Sequence, residues 1–139
     1  MSTEESNEER LLRVFFETLS AGDLEGLRQQ LHADASWEAT SKSIPGAGIK
    51  CGRDNIIDEF LAPIRGLFLP GDPKVEILRI FSKGGWVAAE TEAHGTLASG
   101  KPYDNRYAWI VEVRDGKICT LREYMDSAYI LQQLDMTPA

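Results

Sequence analysis

The sequence is poor in the features that identify several classes of protein. Cys51 and Cys119 are its only cysteines, too few for a disulfide framework, and they lie in no CxxC or metal-finger spacing. No apolar run approaches the roughly 20 residues that cross a bilayer. Acidic residues outnumber basic ones by 22 to 15, and the net charge of −7 argues against nucleic acid or an anionic membrane as a partner. We therefore expect reduced thiols, no membrane span and no nucleic acid.

The remaining composition is that of an ordinary globular domain. Of the 139 residues, 42% are hydrophobic and 27% are charged, and this length is enough for one core without covalent crosslinks. We predict a single domain over residues 1–139. The opening MSTEESNEER is acidic where a signal peptide would be basic and then apolar, so we expect a cytoplasmic protein.

Helices are predicted in the first half of the chain. Ser6–Glu9 has the pattern of a capping box, and the apolar residues after it recur at helical spacing as far as the tetrapeptide SAGD. Asp23 is a candidate cap for a second, short helix, after which DASWEAT alternates as a strand. Residues 41–51 form a Gly- and Pro-containing loop, and Asp54 is a candidate cap for a third helix.

Strands are predicted from Lys74 onward. Four runs, KVEILRIF, WVAAETEAHGTL, YDNRYAWIVEV and KICTLREYMD, are separated by short turns that each contain glycine, and a last helix, SAYILQQL, follows. Helices followed by a meander of long strands indicate an α+β fold, in which the helices cover one face of an antiparallel sheet.

The last predicted strand places Glu123 on its apolar side, where an ionised carboxylate is costly unless it is paired. A three-residue loop around Asp115 and Gly116 would set Tyr107 opposite Glu123. A two-residue loop would instead set Trp109 opposite an arginine, which is a poorer apolar match. We therefore predict the three-residue loop.

The preceding hairpin has two plausible registers. A two-residue turn at Ser99 and Gly100 places Glu90, Glu92 and His94 on the same face as Glu123. A three-residue loop that includes Ala98 places them on the opposite face, where Glu92 would meet an arginine and His94 an aspartate. The residue pattern favours the second register.

Several stretches together resemble a known family. They are SAGDLEGL, ASWEAT, GRDNIIDEF and the run GKPYDNRYAWIVEVRDGKICTLREYMD. The sequence is similar over nearly its whole length to the SnoaL-like group of the nuclear transport factor two superfamily, which includes ketosteroid isomerases and limonene-epoxide hydrolases. The resemblance implies a curved sheet wrapped around helices into a cone, an apolar pocket inside, and a homodimer formed across the outer sheet face.

The resemblance transfers chemistry only in part. The acid on the last strand of the cyclases and epoxide hydrolases falls on Glu123. The hydrolases' arginine and second acid fall on Glu90 and Glu92, which favours the two-residue turn, but the arginine itself is missing. The tyrosine and asparagine that hold water in those hydrolases fall on Trp37 and Ala39, so that water site is not expected here. The ketosteroid isomerase tyrosine and aspartate are replaced as well, so neither named activity is expected.

The resulting hypothesis is an enzyme that carries out proton-transfer chemistry, such as isomerisation, cyclisation or hydrolysis, on an apolar small molecule. Glu123 would be the principal acid or base, because an apolar wall moves a carboxyl pKa toward neutrality, and Glu92 and His94 would assist. The predicted substrate-binding residues are Trp37, Glu90, Asn105, Tyr107 and Trp109. A metal site of His94 with two glutamates is disfavoured, and no cofactor is predicted. The alternative is a non-catalytic ligand-binding or dimeric scaffold protein of the same fold.

Overall fold

A computed structural model describes residues 4–136, so the predicted domain extends three residues beyond the described part at each end. The elements in chain order are α1 (Asn7–Ala21), α2 (Leu24–Gln30), β1 (Leu31–Ala39), β2 (Gly48–Cys51), α3 (Arg53–Asn55), a π-helical turn (Ile56–Leu61), α4 (Ala62–Arg65), β3 (Lys74–Lys83), β4 (Trp86–Thr96), β5 (Pro102–Arg114), β6 (Lys117–Met125) and α5 (Ser127–Gln133). No helix among the described residues is both long and apolar enough to span a membrane.

Helix α1 begins at the predicted cap. The Ser6 hydroxyl accepts a hydrogen bond from the Glu9 backbone N–H at 3.0 Å, and the Glu9 carboxylate also accepts one from Ser82 of β3 at 2.5 Å. The helix ends at Gly22, whose φ of 71° is the left-handed conformation that glycine adopts without strain. The Glu9–Ser82 contact attaches the start of α1 to β3, and Phe16 of the same helix packs against Trp109 of the sheet.

The third helical segment differs from the prediction at its start. Gly52, not Asp54, occupies the cap position, and the carboxylate of Asp54 binds the guanidinium of Arg28 at 2.5 Å. Four apolar residues of this segment are nevertheless buried. They are Ile56, Ile57, Phe60 and Leu61.

One six-stranded sheet runs in the order β2-β1-β6-β5-β4-β3. Strand β1 pairs with β6 in parallel, while the other neighbours are antiparallel. The helices and the curved sheet form the α+β cone that we predicted, and the parallel pair is an addition to it. It sets Trp37 and Ala39 beside the end of β6.

The β5–β6 hairpin does not have the predicted loop. Asp115 and Gly116 form a two-residue turn with φ values of 53° and 72°, as in a type I′ turn. A bulge at Cys119 then adds one residue to β6, so Trp109, rather than Tyr107, lies opposite Glu123. Beyond the bulge our predicted register was wrong by two residues, an even shift that leaves Glu123 on its predicted face.

The β4–β5 hairpin takes the register that the residue pattern favoured. The backbone N–H of Leu97 donates to the carbonyl oxygen of Lys101 at 2.9 Å around a three-residue loop. Glu92 therefore lies opposite Arg106, on the sheet face that points away from the helices. The two-residue turn, which the epoxide hydrolase comparison favoured, was wrong.

The main core lies between α1, the third helical segment and the inner sheet face. Phe16 packs edge-on against Trp109, and Phe15 and Phe60 contact Trp37. Because Trp37 and Trp109 also contact each other, with ring centroids 5.6 Å apart, aromatic rings connect the helices to the centre of the sheet. This aromatic cluster forms the inner wall against which the candidate site is built.

We predict that Leu12→Ala lowers the free energy of unfolding by about 2–5 kcal/mol, because the Leu12 side chain is fully buried and its loss leaves a cavity. Val14→Ala on the same helix is the control. Val14 is 42% exposed, so its change should stay within about 0.5 kcal/mol. Chemical denaturation of both variants measures the difference, and equal losses would contradict the assignment of this helix face to the core.

Candidate active site

Glu123 lies on the inner face of β6, as the alternation of that strand predicted. Its side chain is 8% exposed and stands between Trp109 of β5 and Ala39 of β1. Thr40 fixes the backbone here, because its hydroxyl and its N–H both donate to the Glu123 carbonyl oxygen, at 2.8 and 3.2 Å. The carboxyl group is thus held at a defined place inside the cone.

Trp37 provides the hydrogen bond that holds the Glu123 carboxyl group. Its indole Nε1–H donates to Glu123 Oε1 at 3.1 Å, and both groups are buried. Burial raises the pKa of Glu123 from its ordinary 4.5 to about 7, although the Trp37 hydrogen bond and the charge of Lys50 both act to lower it. Near neutral pH this carboxyl group is therefore divided between its acid and base forms.

Lys50 is a neighbour that sequence reasoning missed. Its Nζ donates to the carbonyl oxygens of Gly46 and Ala47, both at 3.0 Å, and lies 5.2 Å from the centre of the Phe60 ring. A single lysine in a short strand gives no signal in the sequence. In the structure it binds the loop before β2 against the cone and brings a positive charge toward Glu123.

A cavity of about 130 Å³ opens beside Glu123. Its walls come from the inner sheet face, the third helical segment, the loop before β2 and α5, and they are mostly apolar. Trp37, Tyr107 and Trp109 line this space without filling it. An apolar cavity with few polar groups is the usual form of a small-molecule site.

A chain of polar groups runs along β5 inside the cone. The side-chain amide of Asn105 donates to the Tyr103 hydroxyl at 3.0 Å, and that hydroxyl is 2.6 Å from the hydroxyl of Tyr107. Burial raises the pKa of Tyr107 well above its ordinary value, so the phenol keeps its proton. Tyr103 was not among our predicted site residues, because its strand position gives no sign of this contact.

The second tryptophan of the cavity is also anchored. Trp109 Nε1–H donates to the hydroxyl of Thr91 at 2.9 Å, and its ring stacks on Tyr107 with an interplanar angle of 23°. Because the polar edge of Trp109 is satisfied on β4, the ring presents apolar surface to the cavity.

Three predicted site residues lie elsewhere. Glu90, Glu92 and His94 are on the outer face of β4, where they pair with Arg79 at 3.5 Å, Arg106 at 3.0 Å and Asp104 at 2.8 Å, respectively. The three-residue turn is the cause, since it shifts the register by one residue from the alternative and so reverses the faces. Glu123 therefore cannot bind a metal ion together with His94 and Glu92, and we leave the three outer residues out of the site.

We predict that Glu123→Gln alters the pH dependence of stability. A carboxyl pKa that is higher in the folded than in the unfolded chain gives a contribution to stability that is complete below about pH 4.5 and is lost as the pH rises through about 7. Glutamine cannot ionise, so the free energy of unfolding of the variant, relative to the wild type, should rise by about 3 kcal/mol across this range.

The matched control for that measurement is Glu76→Gln, because Glu76 is exposed on the outer face of β3. Urea denaturation at several pH values follows both variants. The control should show no comparable rise, and a flat curve for Glu123→Gln would contradict a buried, destabilised carboxylate.

Comparisons with known proteins agree with this architecture. The family model of the SnoaL-like domain matches residues 12–121. TerC, solved with polyporic acid, superposes with a TM-score of 0.81 at 19% identity, over 94% of this chain and 99% of that one. An NTF2-like protein from Anabaena variabilis gives a TM-score of 0.75 at 26% identity, over 91% and 95% of the two chains.

A shorter match links the chain to a curated protein. UPF0523 protein B of Dictyostelium discoideum is 45% identical over 40 residues, which are 28% of this chain and 24% of that protein. That segment is too small a share of the relative to assign its function here. The match of the family model over most of the sequence, together with the cone-shaped fold of the chain, establishes that this chain belongs to the SnoaL-like domain family.

Proposed function

We propose that this protein is a small-molecule enzyme that uses Glu123 as a general acid or base on an apolar substrate bound in the cone. One observation carries the proposal: a buried carboxyl group with a pKa of about 7 lines an apolar cavity. A general acid or base is most efficient when its pKa is near the working pH. Isomerisation, cyclisation and hydrolysis are reactions that such a group supports.

The neighbours of Glu123 fit roles in this proposal. Trp37 would hold the carboxyl group in position, while Trp109 and Tyr107 would contact the apolar body of the substrate. The Tyr107 hydroxyl would orient a polar atom of the substrate, and Asn105 holds it in place through Tyr103. The crystallisation of TerC with polyporic acid supports the use of this fold to hold a small molecule.

We predict that Glu123→Gln reduces turnover by about 10²–10⁴-fold, the usual contribution of a general acid or base, with little change in substrate affinity. Turnover of apolar carbonyl and epoxide compounds by the wild type identifies the substrate to use. Glu76→Gln serves again as the control and should retain full activity. Unchanged turnover in Glu123→Gln would remove this residue from the mechanism.

A second candidate function is non-catalytic ligand binding, or a dimeric scaffold, in the same cone. The size of the cavity favours the scaffold, because about 130 Å³ is below the range of about 300–1,000 Å³ that is typical of small-molecule sites. Under this function the compounds that bind would be released unchanged, and Glu123→Gln would bind them as well as the wild type does.

We also propose a homodimer formed through the outer sheet face. Phe81, Ala88 and Ile110 lie side by side across β3, β4 and β5, and Phe81 and Ile110 are 62% and 39% exposed. Salt bridges such as Glu92–Arg106 surround this apolar row, which matches the apolar centre and polar rim of protein interfaces.

The two free cysteines support a cytoplasmic location, which we propose as well.

We predict that Ile110→Lys converts the dimer to a monomer in sedimentation velocity experiments, because the substitution buries an unpaired charge in the centre of the interface. Val14→Lys makes the same kind of change on the helical side of the molecule, where Val14 is 42% exposed, and should leave the dimer intact. A wild type that sediments as a monomer would exclude this interface.

A further inference from the structure

Arg65, at the end of α4, supplies a positive charge to the cavity wall. Among the described residues that line the cavity, only Arg65 and Glu123 are charged, and the others are apolar or neutral. The charge that acts on Glu123 comes from Lys50, and the charge that acts on Arg65 comes from Asp72. Neither of these two charged groups contributes to the pKa shift of the other, so they do not form an ion pair.

The guanidinium of Arg65 is held in place by α1. Its Nη1 donates to the carbonyl oxygen of Leu19 at 2.8 Å. The plane of the group lies against Gly22, where an added Cβ would come within 3.1 Å of Nη2 and 3.3 Å of Nε. A guanidinium fixed in this way needs little further ordering to bind a ligand.

No carboxylate of the described chain forms a salt bridge with this guanidinium. Within residues 4–136, Arg65 has no acidic partner closer than 4 Å. Asp72 attracts it from farther away, but the Asp72 carboxylate accepts a hydrogen bond from the Thr96 backbone N–H at 2.9 Å. Burial lowers the pKa of Arg65, yet a guanidinium keeps its proton at every physiological pH.

We propose that Arg65 is the binding group for a carboxylate on the ligand, so that the cone takes apolar acids rather than neutral hydrocarbons. The inference rests on the proposed ligand-binding cavity and adds the chemical class of its ligand. Nε and Nη2 donate to no described residue, and together they form the planar pair of donors that matches a carboxylate. The carboxylate would bind at Arg65 and leave the apolar body to extend toward Glu123.

The alternative is a purely structural role, in which Arg65 only stabilises the end of α1. α1 has no basic residue in its last turn, so a cation beside its terminal carbonyl groups stabilises the helix whether or not a ligand binds. Lys74 makes an equivalent contact, since its Nζ donates to the Ser20 carbonyl oxygen at 3.0 Å, but it lies outside the cavity lining. Lys74→Gln is therefore a matched control for Arg65→Gln.

The experiment measures binding of benzoate, phenylacetate and 3-phenylpropionate, each beside its neutral amide, by titration calorimetry. We expect the wild type to bind at least one acid about tenfold or more tightly than its amide, in line with a charge-assisted hydrogen bond. Arg65→Gln should abolish this preference without weakening the amide, and Lys74→Gln should retain it. Thermal unfolding of both variants checks that each remains folded.

The outcomes separate this inference from the proposed function. Equal binding of acids and amides by the wild type overturns the role of Arg65 but keeps the cavity as a ligand site. An equal loss of acid binding in Arg65→Gln and Lys74→Gln also overturns it, because both variants share only the contact with α1. If the wild type binds neither the acids nor the amides, the ligand-binding cavity itself is excluded.

Discussion

The burial of one carboxyl group constrains the rest of the site. Removing the Glu123 carboxyl group from water disfavours its ionised form, and a single hydrogen bond from Trp37 and the charge of Lys50 offset only part of that effect. The imbalance leaves the group with a pKa near neutrality. A fuller set of donors would have stabilised the carboxylate and lowered the pKa, so the sparse hydrogen bonding keeps the pKa in the range that the proposed acid–base role requires.

The two faces of the sheet divide the acidic residues by function. On the outer face, Glu90 and Glu92 are each paired with an arginine, in contact with solvent, where a salt bridge contributes about 0–1 kcal/mol. On the inner face, Glu123 has no cationic partner within 4 Å in the described part of the chain, and it lies beside Trp37 and Trp109. The same residue type therefore forms surface ion pairs on one face of the sheet and is the candidate for chemistry on the other face.

Turn geometry explains why part of the site could be predicted and part could not. The inner position of Glu123 follows from the two-residue period of its strand, which survives any even shift in register. The prediction that Glu92 and His94 face the cavity required a two-residue turn between β4 and β5. The loop contains Ala98 as a third residue, and this odd shift in register puts both side chains on the outer face. Lys50, Tyr103 and Arg65 had no local pattern, because their roles arise from contacts between elements that are distant in the sequence.

The sequence by itself determined that the chain would form an α+β fold and that one carboxylate would point into its core, because residue periodicity and glycine-containing turns are local properties. The tertiary structure decided what that carboxylate meets. Trp37 lies 86 residues away in the sequence and reaches Glu123 only because β1 pairs in parallel with β6. Such pairing depends on the packing of all six strands and the helices together, which no local pattern encodes.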